Sequence, residues 1–230
     1  MDKFTAWLSQ LQFDAVWQTA IVVAASLLCI TFHETCHGLA AYWLGDPTAK
    51  RAGRLSLNPL RHVDIGGLIM MAICHFGWAK PVPVDMRNFK NPKAGMALTA
   101  LAGPISNVVL AYLGALLSSV CAYFYFVHQN QAVYYVWFFF YYVEIMSAGL
   151  AVFNLFPIPP LDGSKVLFAL LPDRWYAKLM RFERYGMLLL AVLLLTGVLD
   201  TPLEFLRGGL TDALEAIGTW PARLLYKLSV

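Results

Sequence analysis

Charged side chains are scarce in this chain. Asp, Glu, Lys and Arg together make up 13% of its 230 residues, about half of the roughly 25% usual for a soluble domain. Burying a larger core does not strip charge from a surface; facing lipid does. Cysteine is sparse as well. Cys29, Cys36, Cys74 and Cys121 stand apart within apolar segments and share no paired spacing, which points to buried free thiols and argues against a disulfide framework. There is no internal repeat and no low-complexity run, so a single domain, 1–230, is expected. The first residues carry no basic run followed by a small-residue cleavage site, so no cleaved signal peptide is expected. The net charge is only +3, and no nucleic-acid partner is expected.

What the chain does have is hydrophobic length. Apolar residues make up 59% of it, with a mean hydropathy of +0.60. A spanning helix needs about 20 such residues. Segments 16–44, 95–127 and 132–153 meet that requirement, the third interrupted only by Glu144. Segment 185–199 is shorter, and either spans with help from its flanks or sits against its neighbours. Segment 66–79 is apolar but too short to span. Two glycines at its start mark it as a re-entrant or strand-like piece buried against protein. The tail, 202–228, sets Leu203, Leu206, Leu210, Leu214, Ile217 and Leu224 at roughly helical spacing with charges between them. It reads as amphipathic helix lying on the membrane surface or on the bundle. The expected fold class is therefore an all-α polytopic membrane protein of about four transmembrane helices. A small re-entrant or β element sits between the first two, and an amphipathic helical tail follows. The core is expected at about 16–171, with the accessory helix and tail at 183–230.

The basic residues sort by segment. Lys50, Arg51, Arg54, Arg61, Lys80, Arg87, Lys90 and Lys93 fall between the first and second spans, and Lys165, Arg174, Lys178, Arg181 and Arg184 follow the third. The connection 128–131 has no Lys or Arg. By the positive-inside rule the two basic connections are cytoplasmic.

His33-Glu34-Thr35-Cys36-His37 lies at the cytoplasmic end of the first span. Four residues apart on a helix, the two imidazoles leave one face about 40° apart and suit one Zn²⁺ at about 2.0–2.1 Å each. Glu34, one step further round, is placed to act as the base of a zinc-dependent hydrolysis. Burying such a cluster in lipid without a purpose is costly. Ala40 and Trp43 stand where a metzincin extension needs glycine and histidine, so that class is excluded.

A catalytic zinc keeps three protein ligands and one open position. Asp162 is the leading third ligand. It follows Asn154-Leu-Phe-Pro-Ile-Pro-Pro-Leu, in which three prolines within four positions forbid a helix. Such a stretch at membrane depth needs protein or a polar cavity around it. Asp162 also suits the N-cap of a short helix, 163–171. Glu144 is the rival. It lies about ten residues, or roughly 15 Å, back along its helix, and is better read as buried and neutral or hydrogen-bonded. His62 and His75 read as polar groups satisfied in the loop. Cys36 flanks the ligands, but a fourth protein ligand would close the site.

These motifs together resemble the site-2 protease family of intramembrane zinc metalloproteases. The resemblance rests on His33-Glu-Thr-Cys-His37-Gly38 and on Asn154 followed by Pro157-x-Pro159-x-Leu161-Asp162-Gly163. Gly53-Arg-Leu-Ser-Leu-Asn-Pro59, Phe76-Gly-Trp-Ala-Lys-Pro-Val-Pro-Val84 and Ala102-Gly-Pro-Ile-Ser-Asn107 agree with its compact bacterial and archaeal members. The resemblance implies one Zn²⁺ per chain on His33, His37 and Asp162, with Glu34 as general acid and base. It implies substrate or oxyanion contacts from Asn154 and a polar role for Asn107. Pro81, Val82, Pro83 and Val84 would present a strand edge to the substrate, a transmembrane protein. Proline is confined to sheet edges, and such an edge can pair with an unwound segment. No PDZ-like insertion and no soluble nucleotide-sensing domain is evident, so regulation by those modules is not expected. The expected location is the bacterial inner membrane, with the active site toward the cytoplasm. A catalytically silent metal-binding protein and a transporter subunit are the competing readings. Substrate identity and oligomeric state are left open by the sequence.

Overall fold

The computed structural model describes residues 13–67 and 79–229. Helix α1 spans Phe13–Trp43, and a one-turn helix α2, Thr48–Arg51, follows it. Helix α3 covers Pro92–His128 and α4 covers Gln131–Leu155. Then come α5, Asp162–Ala169, α6, Asp173–Phe182, and α7, Gly186–Leu195. The tail forms α8, Asp200–Gly218, and α9, Trp220–Ser229.

Local chemistry sets the ends of the long helices. Asn91 caps α3 by accepting from the Ala94 N–H at 3.2 Å, with Pro92 at the first helical position, where a missing N–H costs nothing. Gln129 ends that helix with φ of +49°, and Asn130 at once caps α4 through Ala132 N–H at 2.8 Å. The two long helices are thereby joined by a two-residue turn.

Helix α3 is built inside out relative to a soluble helix. Ile105, Val109, Leu113 and Leu117, four residues apart, are all exposed. Its buried residues are small or polar, among them Gly103, Asn107, Ala111, Gly114, Ala115 and Ser118. Small inward residues let backbones approach closely where lipid removes any hydrophobic drive. Pro104 lies within α3 without ending it, and Ser106 Oγ donates to the Gly103 carbonyl there at 2.6 Å. Ala25 and Cys29 of α1 pack with Val143 of α4. Leu161, Leu190 and Leu199 pack together with Phe153, Phe156 and Ile158 around the proline-rich turn.

Among the described residues three helices are long and apolar enough to cross a membrane: Ala15–Trp43, Pro92–His128 and Gln131–Leu155. Among those residues a fourth crossing rests on a bent pair of helices taken together. The segment breaks, and Asp173–Leu195 meets Asp200–Ser229 at 87°. Helix α7 has ten residues, about 15 Å of rise, half of what a bilayer core needs. The tail is helical; Leu214 of α8 packs on Ala111 and Ala148 with Leu210 beside them, whereas Leu206, Ile217 and Leu224 are exposed. The expected re-entrant or strand-like element falls mostly on 68–78, outside the described residues, as do His75 and Cys74. No strand occurs among the described residues, and 79–85 has no regular secondary structure.

Candidate metal centre

His33 and His37 sit one turn apart on α1, and Asp162 is the first residue of α5. His33 Nε2 lies 2.9 Å from His37 Nε2. Asp162 Oδ2 lies 3.2 Å from the first and 3.0 Å from the second. All three residues are buried. They form the one group among the described residues whose His, Cys, Asp or Glu atoms converge as a metal would require; Cys36 and Glu144 are not in it.

The donor set fits a zinc ion. His37 Nδ1 donates to the Thr99 carbonyl at 2.7 Å, which leaves the Nε2 lone pair of a neutral ring aimed at the cluster. A second ring nitrogen and a carboxylate oxygen meet it there. Lone pairs so crowded repel unless a proton or a cation stands among them. Tetrahedral zinc with bonds of about 2.0–2.1 Å holds its donors about 3.3 Å apart; the separations here, 2.9, 3.2 and 3.0 Å, are all somewhat tighter. Two imidazoles with one carboxylate suit zinc by donor type.

Asp162 does not cap its helix. The cap position is Leu161, with no side-chain cap bond. The carboxylate turns to the histidines, and Lys165 Nζ lies 3.4 Å from its Oδ1. Asp162 is buried, and among the described residues Lys165 is the one Lys or Arg paired with it.

Glycines let the walls close in. A Cβ on Gly103 would overlap both His37 and His33, so α3 packs its bare backbone on the imidazoles. A Cβ on Gly38 would come within 2.5 Å of Leu55 and 3.2 Å of Val82. The glycine after the second histidine thus lets the loop lie close on α1.

Glu34 is held by that loop. Its Oε2 accepts the Val82 N–H at 2.9 Å. The loop itself is fastened at both ends. Buried Arg54 donates to the Lys80 and Pro81 carbonyls, and Lys80 N–H donates to the His62 carbonyl at 2.9 Å. At the far end Asp46 Oδ2 accepts from Asp85 N–H at 2.7 Å, and its Oδ1 accepts from Asn88 Nδ2, also at 2.7 Å. His62 Nε2 pairs with the Ser56 carbonyl at 2.8 Å, a structural role as expected. Thr35 Oγ1, between the two ligands in sequence, donates to the same carbonyl at 3.0 Å.

A cavity of about 220 Å³ adjoins the cluster, and His33, Glu34, Ala79, Asn154 and Leu161 are among the residues that line it. One side of the cluster is therefore open, as a catalytic site needs. Asn154 faces that cavity with its Nδ2 bonded at 3.0 Å to the Leu150 carbonyl. Asn107 is fully buried, is not part of the lining, and leaves both amide atoms without a protein partner. Pro81, Pro83 and Val84 do not line it either; Val82 reaches it only through Glu34. Glu144 is buried in the bundle, its Oε2 accepting from Ser118 Oγ at 3.3 Å.

Several contacts have no sequence signature of their own. The Thr99 carbonyl is a backbone group, and Asp46 looks like any loop aspartate. Arg54 stood inside a recognised block, but its two carbonyl partners lie 26 and 27 residues away.

The model of peptidase family M50 matches residues 117–197, which include Asn154 and Asp162 but not the histidine pair. A Bacillus subtilis protein provisionally named zinc metalloprotease YwhC is 39% identical over 176 residues, 76% of this chain and 80% of its own. Mycolicibacterium smegmatis Rip2, named in the same provisional way, is 30% identical over 78% of this chain and 68% of its own. A Methanocaldococcus jannaschii protein of like designation is 37% identical over 59% and 63%. No solved structure matches the chain significantly. A three-donor cluster on an apolar helix, a family match beside it and a relative aligned over four fifths of its length lead to one conclusion: this membrane protein belongs to peptidase family M50, the site-2 protease family of metalloproteases.

Proposed function

We propose that this chain is an intramembrane endopeptidase holding one zinc ion on His33, His37 and Asp162, and that it cuts a peptide bond within a transmembrane segment of a protein substrate. The observation that carries the reading is the convergence of those three side chains at the end of an apolar helix, with Glu34 and a cavity alongside. Bound there, zinc supplies Lewis acidity toward water and a peptide carbonyl. Glu34 takes a proton from the attacking water and later delivers one to the leaving amine. Asn154 offers a donor to the charge that develops on the carbonyl oxygen; its Nδ2 has a second hydrogen beyond the one given to Leu150. The extended stretch Pro81–Val84 docks the unwound substrate. The charge asymmetry supports an active site toward the cytoplasm of a bacterial inner membrane.

Purified protein with a single-span test peptide decides the matter. Cleavage should stop with a chelator and return with Zn²⁺. Glu34→Gln should keep metal and lose turnover, whereas His33→Ala and Asp162→Ala should lose both. Full proteolysis by the Gln variant ends the proposal. Metal retention without any Glu34-dependent cleavage favours a silent metal-binding protein instead.

A further inference from the structure

The stretch 81–83 has a single amide donor. Pro81 and Pro83 carry no N–H, so Val82 supplies it, and it is given to Glu34 Oε2 at 2.9 Å. Lys80 and Val82 each precede a proline, which drives both toward extended backbone. In extended backbone, alternate residues turn their polar groups to opposite edges, and residues i and i+2 share one. The Lys80 and Pro81 carbonyls are both taken by Arg54. The Val82 N–H points to Glu34, and in extended backbone Val84 shares that edge. Any extended segment pairing with that edge needs the Val82 N–H, and the carboxylate already has it.

We infer that the Val82 N–H is the docking donor for a carbonyl of the unwound substrate, and that the Glu34 carboxylate occupies that carbonyl's place until substrate arrives. The inference rests on the protease reading and deepens it. Glu34 Oε2 and a substrate carbonyl are both acceptors, and one N–H at the end of a fixed loop serves one of them well. Docking then does two things at once. It anchors the substrate beside the cluster, and it frees Glu34 to turn toward the proton it must move. Val82 is thus a positioning residue, acting through its backbone. The fastening of the loop by Arg54 and Asp46 keeps the donor in place while its acceptor changes.

Binding by inactive variants tests this without turnover. Glu34→Gln keeps a side-chain oxygen that can accept from Val82, while Glu34→Ala removes it and Glu34→Asp pulls it back by one methylene. A fluorescent single-span peptide is titrated against each zinc-loaded variant in the same detergent, and zinc content is measured on the same samples. The Ala and Asp variants should bind about three- to tenfold more tightly than the Gln variant, the range expected for one competing hydrogen bond. Equal affinities, weaker binding by Ala and Asp, or no binding by any variant overturns the inference. Wild-type cleavage of the same peptide separates the two ideas. Cleavage with equal variant affinities removes only the Val82 inference. An absence of wild-type cleavage removes the protease reading, and the order of affinities still decides whether Glu34 shields the donor.

Discussion

Gly103→Ala adds one methyl group and should abolish metal binding. Two opposing effects can be weighed. Alanine is the better helix former, worth roughly 1 kcal/mol over glycine within a helix, and Gly103 lies inside α3. Against this, the new Cβ would overlap His37 and His33 well inside contact distance. Restoring an ordinary carbon contact of about 3.5 Å requires a shift of roughly 1 Å. The His37 ring is held from behind by the Thr99 carbonyl, itself on α3, so it cannot simply swing away. Metal sites tolerate only about 0.2 Å of error in ligand distance. The needed shift exceeds that several-fold, and overpacking costs about 1–3 kcal/mol besides. The assay is zinc per protein by mass spectrometry, with thermal unfolding in parallel. Gly208→Ala is the control, since a Cβ there meets nothing within 4 Å; it should keep zinc and gain about 0.5–1 kcal/mol from helix propensity. A Gly103→Ala protein with full zinc and unchanged affinity would refute the close-packing argument.

Other perturbations separate the loop from the cluster. Arg54→Gln should retain zinc but lower kcat/KM at least tenfold, because the Lys80 and Pro81 carbonyls lose a charge-assisted donor worth about 1.5–3 kcal/mol; unchanged kinetics would mean that the loop needs no clamp. Asp46→Asn should lower stability by about 1–3 kcal/mol at neutral pH through its broken contacts with Asp85, Thr48 and Asn88. Burial pushes the Asp46 carboxyl up, but hydrogen bonds from Thr48, Asp85 and Asn88 outweigh it and hold it below its ordinary value. A depressed carboxyl stabilises the fold above its unfolded pKa of about 3.9 and loses that contribution as pH falls through the folded value. The melting difference between wild type and Asp46→Asn should therefore shrink below about pH 4, and a gap constant with pH would contradict this.

The convergence of His33, His37 and Asp162 was legible because its signals are local. A four-residue spacing sets two imidazoles on one helix face, and three prolines before Asp162 mark a break at membrane depth. What the sequence could not show is where α3 lies. Gly103 and the Thr99 carbonyl touch the histidines across more than 60 residues of chain, through a packing that only the folded bundle defines. The expected cap at Asp162 failed for a physical reason: two imidazoles and Lys165 offer a carboxylate more than a helix N–H does. Segment 185–199 folds as the ten-residue helix Gly186–Leu195 and then turns sharply into α8. Asn107 was read from its motif alone, and its buried amide lies away from the cavity.

The anchoring of residues 80–85 bears on selectivity. A stretch already fastened by Arg54 and Asp46 would lose little freedom on meeting a target, so most of the ordering entropy would fall on the incoming chain. Given the pairing proposed above, targets would be ranked by how readily their own helix opens near the cut. Glycine, β-branched residues or a proline-induced kink would then matter more than any particular side-chain letter.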